Sequence, residues 1–168
     1  GSVLGAVGPQ PSQKAFESRL ARVLAGLDPS VPVVVEAESS KIGRLNLPPD
    51  LFAAMRSAPR VEISAALDAR AAFLARTYGK VPGDLVAGVD ALRPLRGAER
   101  VEVWVGQIKS GALEEAAIGL ITGHYDRAYA KSRARAGGKV AAKVEAESLD
   151  PAALDKLAQA VAAAVKAI

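Results

Sequence analysis

The segment Val31-Pro32-Val33-Val34-Val35-Glu36-Ala37-Glu38-Ser39 carries the strongest indication of the fold. Its valines form a continuous apolar run, which is typical of a strand buried on both faces of a parallel sheet. In open parallel sheets, ligands bind beyond the carboxyl ends of the strands. Glu36 and Glu38 would emerge at that end, where an acidic side chain can orient a metal ion or water on a phosphorylated ligand. They could equally be ordinary polar residues that end a buried strand.

The segments around this run alternate between helical and extended patterns. Ser12 is suited to cap a helix that ends before Pro29, and Asp150 is suited to cap a last, alanine-rich helix over residues 151–168. Between them the spacing predicts a helix that begins at residue 48, helices over 67–78 and 114–136, and short helices within 79–100. It predicts strands over 60–63 and 139–144, and residues 101–105 could form a strand or a helix. Alternating strands and helices imply parallel pairing with right-handed crossovers. We therefore expect one α/β domain, residues 1–168, with a three-layer, open, mostly parallel sheet.

The composition excludes several kinds of site. The 168 residues include no cysteine, which rules out disulfides, thiolate zinc sites and cysteine nucleophiles. The single histidine, His124, cannot build a histidine-rich metal site. No apolar run reaches the roughly 18 residues of a membrane helix, so we expect a cytoplasmic protein with no membrane partner. The formal net charge of +4 favours a polyanionic partner, either nucleic acid or a phosphorylated ligand.

Two cationic segments are candidates for phosphate binding. Lys41, Gly43 and Arg44 combine two cations with a flexible glycine, which suits a diphosphate or a tRNA phosphate but also a solvated turn. The second segment places cations beside aromatic rings that can stack unpaired bases: Tyr125, Arg127, Tyr129, Lys131, Arg133 and Arg135. Its cations could instead gather at a helix C-terminus, where they complement the helix dipole. No GxxxxGK[ST] loop for nucleotide phosphates occurs in the sequence.

Four segments, in order along the chain, resemble the tRNA 2-selenouridine synthase family. They are Gly1-Ser2-Val3-Leu4-Gly5, Gln10-Pro11-Ser12-Gln13-Lys14-Ala15-Phe16-Glu17, Glu36-Ala37-Glu38-Ser39-Ser40-Lys41-Ile42-Gly43 and His124-Tyr125-Asp126-Arg127-Ala128-Tyr129. The resemblance implies a fold of the P-loop NTPase type that is incomplete at its N-terminal side. The family's rhodanese-like domain, its catalytic cysteine and its P-loop have no counterpart in the sequence, so we expect a C-terminal portion of such an enzyme.

The resemblance also implies an activity and a set of ligands. The family converts wobble 2-thiouridine of tRNA to 2-selenouridine through a geranylated intermediate, with selenophosphate and geranyl diphosphate as substrates. By analogy the ligand site would include Gln10, Ser12, Gln13, Glu36, Glu38 and Ser39, while Tyr125, Asp126 and Tyr129 would lie near the tRNA or the diphosphate. No cofactor is implied within the chain, and the ligand chemistry is compatible with magnesium. Two alternatives stay open: a noncatalytic tRNA-binding module and a truncated relative of P-loop kinases. Whether the chain is itself an enzyme stays open with them.

Overall fold

Most of the helices lie between the third and the fourth strand of the chain. The computed structural model describes residues 9–37, 39–79, 82–135 and 138–168, with side chains throughout these ranges except at 82–84 and 131–135. The strands are β1 Lys41–Ile42, β2 Leu45–Asn46, β3 Arg60–Ala65 and β4 Val140–Ala146. The helices are α1 Gln13–Ala25, α2 Pro49–Ser57, α3 Leu67–Tyr78, α4 Pro82–Asp90, α5 Arg93–Arg96, α6 Ala98–Lys109, α7 Leu113–Leu120, α8 Asp126–Arg135 and α9 Pro151–Lys166, with a π-helix at Ile121–Tyr125.

The helix starts confirm the capping predictions. The Ser12 hydroxyl accepts a hydrogen bond from the Ala15 amide at 3.2 Å, which satisfies one of the free amides of the first turn of α1. The Asp150 carboxylate accepts from the Ala153 amide at 2.7 Å at the start of α9. The helices expected from residue 48 and over 67–78 form as α2 and α3.

The strand predicted at Val31–Val35 is wrong. These residues form no strand in the structure, and Val31, Val33, Val34 and Val35 are 53–66% exposed. A continuous apolar run is stable as a strand when neighbouring strands pair with it and both faces are covered. Among the described residues no strand lies beside it, so the segment runs over the surface. Glu36 therefore follows an irregular segment and does not mark the end of a buried strand.

The sheets are small in the part of the chain that the structure describes. β3 and β4 pair in parallel, with Val61 opposite Ala142 and Ile63 opposite Val144, as the alternating pattern predicted. β1 and β2 form an antiparallel hairpin that the sequence did not indicate, closed through Gly43 at a φ of 61°. The fold is thus α/β with two two-stranded sheets, and the wider three-layer sheet stays a prediction.

The core lies among the helices. The ambiguous segment at residues 101–105 is helical, within α6, and the side chains of Val101, Trp104 and Val105 are buried. They pack with residues of α4 and α7 into one cluster: Val89, Val101, Trp104, Val105, Ile108, Ala116 and Leu120. A second cluster, Ala71, Ala117 and Ile121, joins α3 to α7 and the π-helix. Most side chains of this core are small and aliphatic, and Trp104 is its large aromatic residue.

The predicted helix over residues 114–136 is present but is interrupted. The chain runs through α7, switches to the π-helix at Ile121–Tyr125 and continues as α8. Such single-turn π-helices occur frequently at functional sites. Across the described ranges, no helix combines the length and apolarity needed to cross a membrane.

Candidate functional site

A pocket of about 620 Å³ opens between α3, α4, α6, α7 and α8. We call it the helical pocket. Its inner end is formed by buried apolar side chains of the main core cluster: Val89, Ile108, Ala116 and Leu120. Its mouth carries side chains with polar groups that keep access to solvent: Glu36, Arg70, Tyr78, Tyr125 and Tyr129. A cavity of this size with an apolar interior and a few converging polar groups is typical of ligand-binding sites.

Arg70 is the cation at the mouth of the pocket. It lies on α3, and its guanidinium forms a bidentate pair with Asp126 at the start of α8, with N–O distances of 2.5 and 3.2 Å. The pair joins two helices that are 56 residues apart in sequence. A guanidinium carries five N–H groups in a planar fork, so two bonds to Asp126 leave Arg70 able to donate to a further acceptor.

The π-helix sets the position of His124 and Tyr125. Arg96, at the end of α5, donates from Nε to His124 Nδ1 at 2.8 Å, which requires a neutral imidazole with its proton on Nε2. Burial lowers the pKa of His124 below 6.5, and the charge of Arg96 lowers it further. The His124 ring meets the Tyr125 ring edge-on, with centroids 5.1 Å apart.

Tyr125 is held in its neutral form. Burial raises the pKa of its phenol above 10.0, and the neighbouring phenol of Tyr78 adds to the effect. A neutral phenol can both donate and accept a hydrogen bond. Both tyrosines border the mouth of the helical pocket, so each can bind a polar group of a ligand there.

The two predicted glutamines lie apart from the pocket, against the β1–β2 hairpin. Gln10 donates to the Ile42 carbonyl at 2.7 Å and accepts from the Arg44 amide at 2.8 Å. Gln13 pairs in the same way with both backbone groups of Asn46, at 2.7 and 3.0 Å. Each carboxamide therefore hydrogen-bonds to the hairpin backbone, so both residues have a structural role in holding α1 and its start against the hairpin. A ligand role for them stays a prediction.

The remaining predicted residues fall into three groups. Ser12 caps α1, and the Ser39 hydroxyl accepts from the Lys41 amide at 3.0 Å beside the hairpin. Lys41, Gly43 and Arg44 are exposed on the hairpin itself. Arg127 is exposed on α8, which also carries Lys131, Arg133 and Arg135. Glu38 and the side chains of those last three residues lie outside the described part of the structure.

The structure thus brings together only some of the predicted residues. Glu36, Tyr125 and Tyr129 all border the helical pocket, and Asp126 is paired with Arg70, which borders it as well. The apolar interior was missed, although the helical spacing of residues 67–78 already indicated that one face of α3 packs against other helices. Arg96 was missed as well, and no local pattern points to it. Within the described ranges, no three acidic or histidine side chains converge to hold a metal ion.

Comparison with known proteins connects these features to a family. A family model described as the tRNA 2-selenouridine synthase AAA domain matches residues 1–87, which is more than half of the chain. The chain belongs to this family. A curated tRNA 2-selenouridine synthase from Marinobacter nauticus is 30% identical over 139 residues, covering 71% of this chain. The resemblance inferred from the sequence segments is therefore confirmed. No solved structure gives a significant match.

The match to the tRNA 2-selenouridine synthase AAA domain includes some of the residues at the pocket mouth. Glu36, Arg70 and Tyr78 lie within residues 1–87, whereas Tyr125 and Tyr129 lie beyond them. The chain spans 38% of the length of the Marinobacter synthase.

Proposed function

We propose that the chain is the substrate-binding part of a tRNA-modifying transferase that converts 2-thiouridine to 2-selenouridine through a geranylated intermediate. In this proposal the helical pocket binds geranyl diphosphate, and α8 binds the tRNA. Family membership supports the reaction class, and the name of the Marinobacter relative states the product of that reaction. The observation that carries the proposal is the division of the pocket into an apolar part and a polar mouth that includes the guanidinium of Arg70.

This division matches an amphiphilic ligand. An isoprenoid chain gains free energy when it leaves water for an apolar cavity, and the pocket is lined by the partly exposed apolar side chains of Phe73, Leu74, Leu85, Leu92 and Leu113. A diphosphate needs hydrogen-bond donors and positive charge, which Arg70 and the phenols of Tyr78 and Tyr125 provide at the mouth. Glu36 at the same mouth is a carboxylate of the kind that can hold a magnesium ion on the diphosphate.

The chemistry assigned to this site is an alkyl transfer. The sulfur of 2-thiouridine attacks C1 of the geranyl group, so that a C–S bond forms and the C–O bond to the diphosphate breaks, and N3 of the base releases its proton to solvent. The electron pair of that bond leaves with the diphosphate, whose charge grows as the bond opens. Arg70 stabilises this charge because its guanidinium lies at the mouth, where the leaving group would be bound.

The tRNA is assigned to the surface formed by the start of α8. Tyr129 is 51% exposed beside the pocket mouth and can stack an unpaired base. Arg127 is exposed on the same helix and can contact backbone phosphates. Lys131, Arg133 and Arg135 follow on α8 in sequence, which extends the cationic character of this helix. A base held at Tyr129 would lie next to C1 of a ligand in the pocket.

The diphosphate site is tested with Arg70→Gln and a matched control. Arg93→Gln removes an arginine of similar exposure, 36% against 33%, which is also paired with an aspartate but does not border the pocket. Calorimetric titration with geranyl diphosphate should give an affinity about tenfold or more lower for Arg70→Gln, since a charged hydrogen bond contributes about 1.5–3 kcal/mol. Arg93→Gln should bind like the unmodified protein. Equal affinities for both variants would contradict the proposed site, and so would an unmodified protein that does not bind the ligand.

The tRNA surface is tested by salt dependence. Binding through about three phosphates should give a slope of log K against log salt near −2, because each phosphate contact releases counterions. Arg127→Gln should make this slope shallower, whereas Arg22→Gln on the exposed side of α1 should leave it unchanged. Salt-steep tRNA binding together with no geranyl diphosphate binding would favour the noncatalytic tRNA-binding module instead. Binding of diphosphates without any preference for an isoprenoid chain would favour a relative of P-loop kinases.

A further inference from the structure

Asp126 contacts the helical pocket through another residue. Arg70 borders the pocket, whereas Asp126 itself does not. Both carboxylate oxygens of Asp126 accept hydrogen bonds from the Arg70 guanidinium, at 2.5 and 3.2 Å. Tyr125 and Tyr129, which lie before and after Asp126 in sequence, do border the pocket. The start of α8 is therefore placed against the mouth, and Asp126 acts there on the one arginine that borders the pocket in the described part of the chain.

The pair with Asp126 restricts the geometry of Arg70. A free arginine side chain samples many rotamers, but two bonds from one planar fork to one carboxylate select a single orientation of the guanidinium. The side chains of Arg70 and Asp126 are 33% and 47% exposed, and ion pairs this exposed add little to folding stability. The larger effect of the pair is to hold the guanidinium at the mouth before a ligand arrives, which lowers the entropy cost of binding.

We propose that Asp126 is a positioning residue for the diphosphate site, which orients Arg70 so that its remaining N–H groups are available to the ligand. This inference rests on the proposed function of the pocket and names a residue that acts on the ligand only through Arg70. The sign of its effect distinguishes positioning from charge. A carboxylate near an anion repels it, so removing Asp126 would strengthen binding if only its charge mattered. Loss of positioning weakens binding instead.

The test measures the affinity of Asp126→Ala for geranyl diphosphate by calorimetric titration. Salt of about 0.15 M screens charges that lie more than about 8 Å apart. Affinity should fall about three- to tenfold, the factor expected when one long side chain must be ordered on binding. Asp90→Ala is the matched control, because Asp90 also pairs with an arginine, has a similar exposure of 50% against 47%, and does not border the pocket. It should bind like the unmodified protein.

A double-mutant cycle with Arg70→Gln separates positioning from a merely structural role. If Asp126 acts through Arg70, Asp126→Ala should cause no further loss of affinity once Arg70 has been replaced by glutamine. A structural role of Asp126 in holding α8 against α3 would instead weaken binding by the same factor whether or not Arg70 is present.

The outcomes separate this inference from the proposed function. If the unmodified protein does not bind geranyl diphosphate, or if Arg70→Gln binds it unchanged, the diphosphate site is overturned and the inference with it. If Arg70→Gln weakens binding, the site stands. The inference alone is then overturned when Asp126→Ala leaves the affinity unchanged or raises it, when the loss is equal in both backgrounds of the cycle, or when Asp90→Ala causes the same loss. Thermal melts identify a loss of folding, in which case Asp126→Asn, which keeps the size of the side chain and removes its charge, takes the place of Asp126→Ala.

Discussion

Gly119 on α7 offers a quantitative test of the helix packing around Trp104. A β-carbon added at Gly119 would lie 2.8 Å from Cδ1 of the Trp104 indole, whereas ordinary contacts begin at 3.4 Å. The indole is 4% exposed and has little space to move. Gly106 on α6 is also helical, but a β-carbon there would meet no atom within 4 Å. Alanine at the two positions is therefore the same chemical change with opposite consequences.

The magnitudes follow from two opposing effects. Alanine stabilises a helix interior by about 1 kcal/mol relative to glycine, and overpacking a core costs about 1–3 kcal/mol. Gly119→Ala should therefore lower the free energy of unfolding by up to about 2 kcal/mol, and Gly106→Ala should raise it by up to about 1 kcal/mol. For a chain of 168 residues, 1 kcal/mol shifts Tm by about 2–4 °C.

Thermal unfolding followed by circular dichroism measures both variants under the same conditions. The melting temperature of Gly119→Ala should fall below that of the unmodified protein, and that of Gly106→Ala should rise above it. A melting temperature that rises equally in both variants would show that the indole does not pack against α7. That result would refute the arrangement of α6 and α7 on which the inner end of the helical pocket depends.

Three further predictions concern the surface, the hairpin and the π-helix. Val34→Lys should change the free energy of unfolding by no more than about 0.5 kcal/mol in chemical denaturation, because Val34 is 66% exposed; a cooperative loss of structure would indicate a buried strand after all. Gly43→Ala should cost about 1–3 kcal/mol and more than Gly111→Ala, because both glycines have a positive φ but only Gly43 would also meet the Gln10 carboxamide. Since burial lowers the pKa of His124 below 6.5, protons bind preferentially to the unfolded state. Stability should therefore be fully retained above pH 6.5 and fall as the pH decreases below it, and His124→Gln should reduce this dependence in melts across that range.

Local features of this fold could be predicted from the sequence because their causes are local. A capping hydroxyl or carboxylate bonds to an amide three residues away, so Ser12 and Asp150 identify the starts of α1 and α9. The strand predicted at the valine run was wrong because a buried strand depends on neighbouring strands and covering layers, and the sequence of the run does not specify these. The same dependence explains the missed hairpin, which Gln10 and Gln13 support from more than 30 residues away.

The candidate site could be predicted only in part, for a related reason. Tyr125 and Tyr129 were identified by their residue type and by the motif around them, and they do border the pocket. The pairing of Arg70 with Asp126 and of Arg96 with His124 joins residues 56 and 28 positions apart. Such pairs follow from how the helices pack, which periodicity alone does not determine. The apolar interior of the pocket is likewise a product of packing between α3, α4, α6 and α7.

The distribution of burial shows which part of the chain supports the site. Ile63 on β3 and Val34 before the hairpin are more than half exposed, whereas Val101, Trp104 and Ile121 in the helical part are almost completely buried. Burial of apolar side chains is the main source of folding free energy, so the helical part supplies most of the stability. The helical pocket lies within that part, and the residues of its inner end, Val89, Ile108, Ala116 and Leu120, belong to the same core cluster as Val101 and Trp104. Substitutions in the valine run should therefore leave the shape of the pocket intact, whereas substitutions around Trp104 should alter the stability and the pocket together.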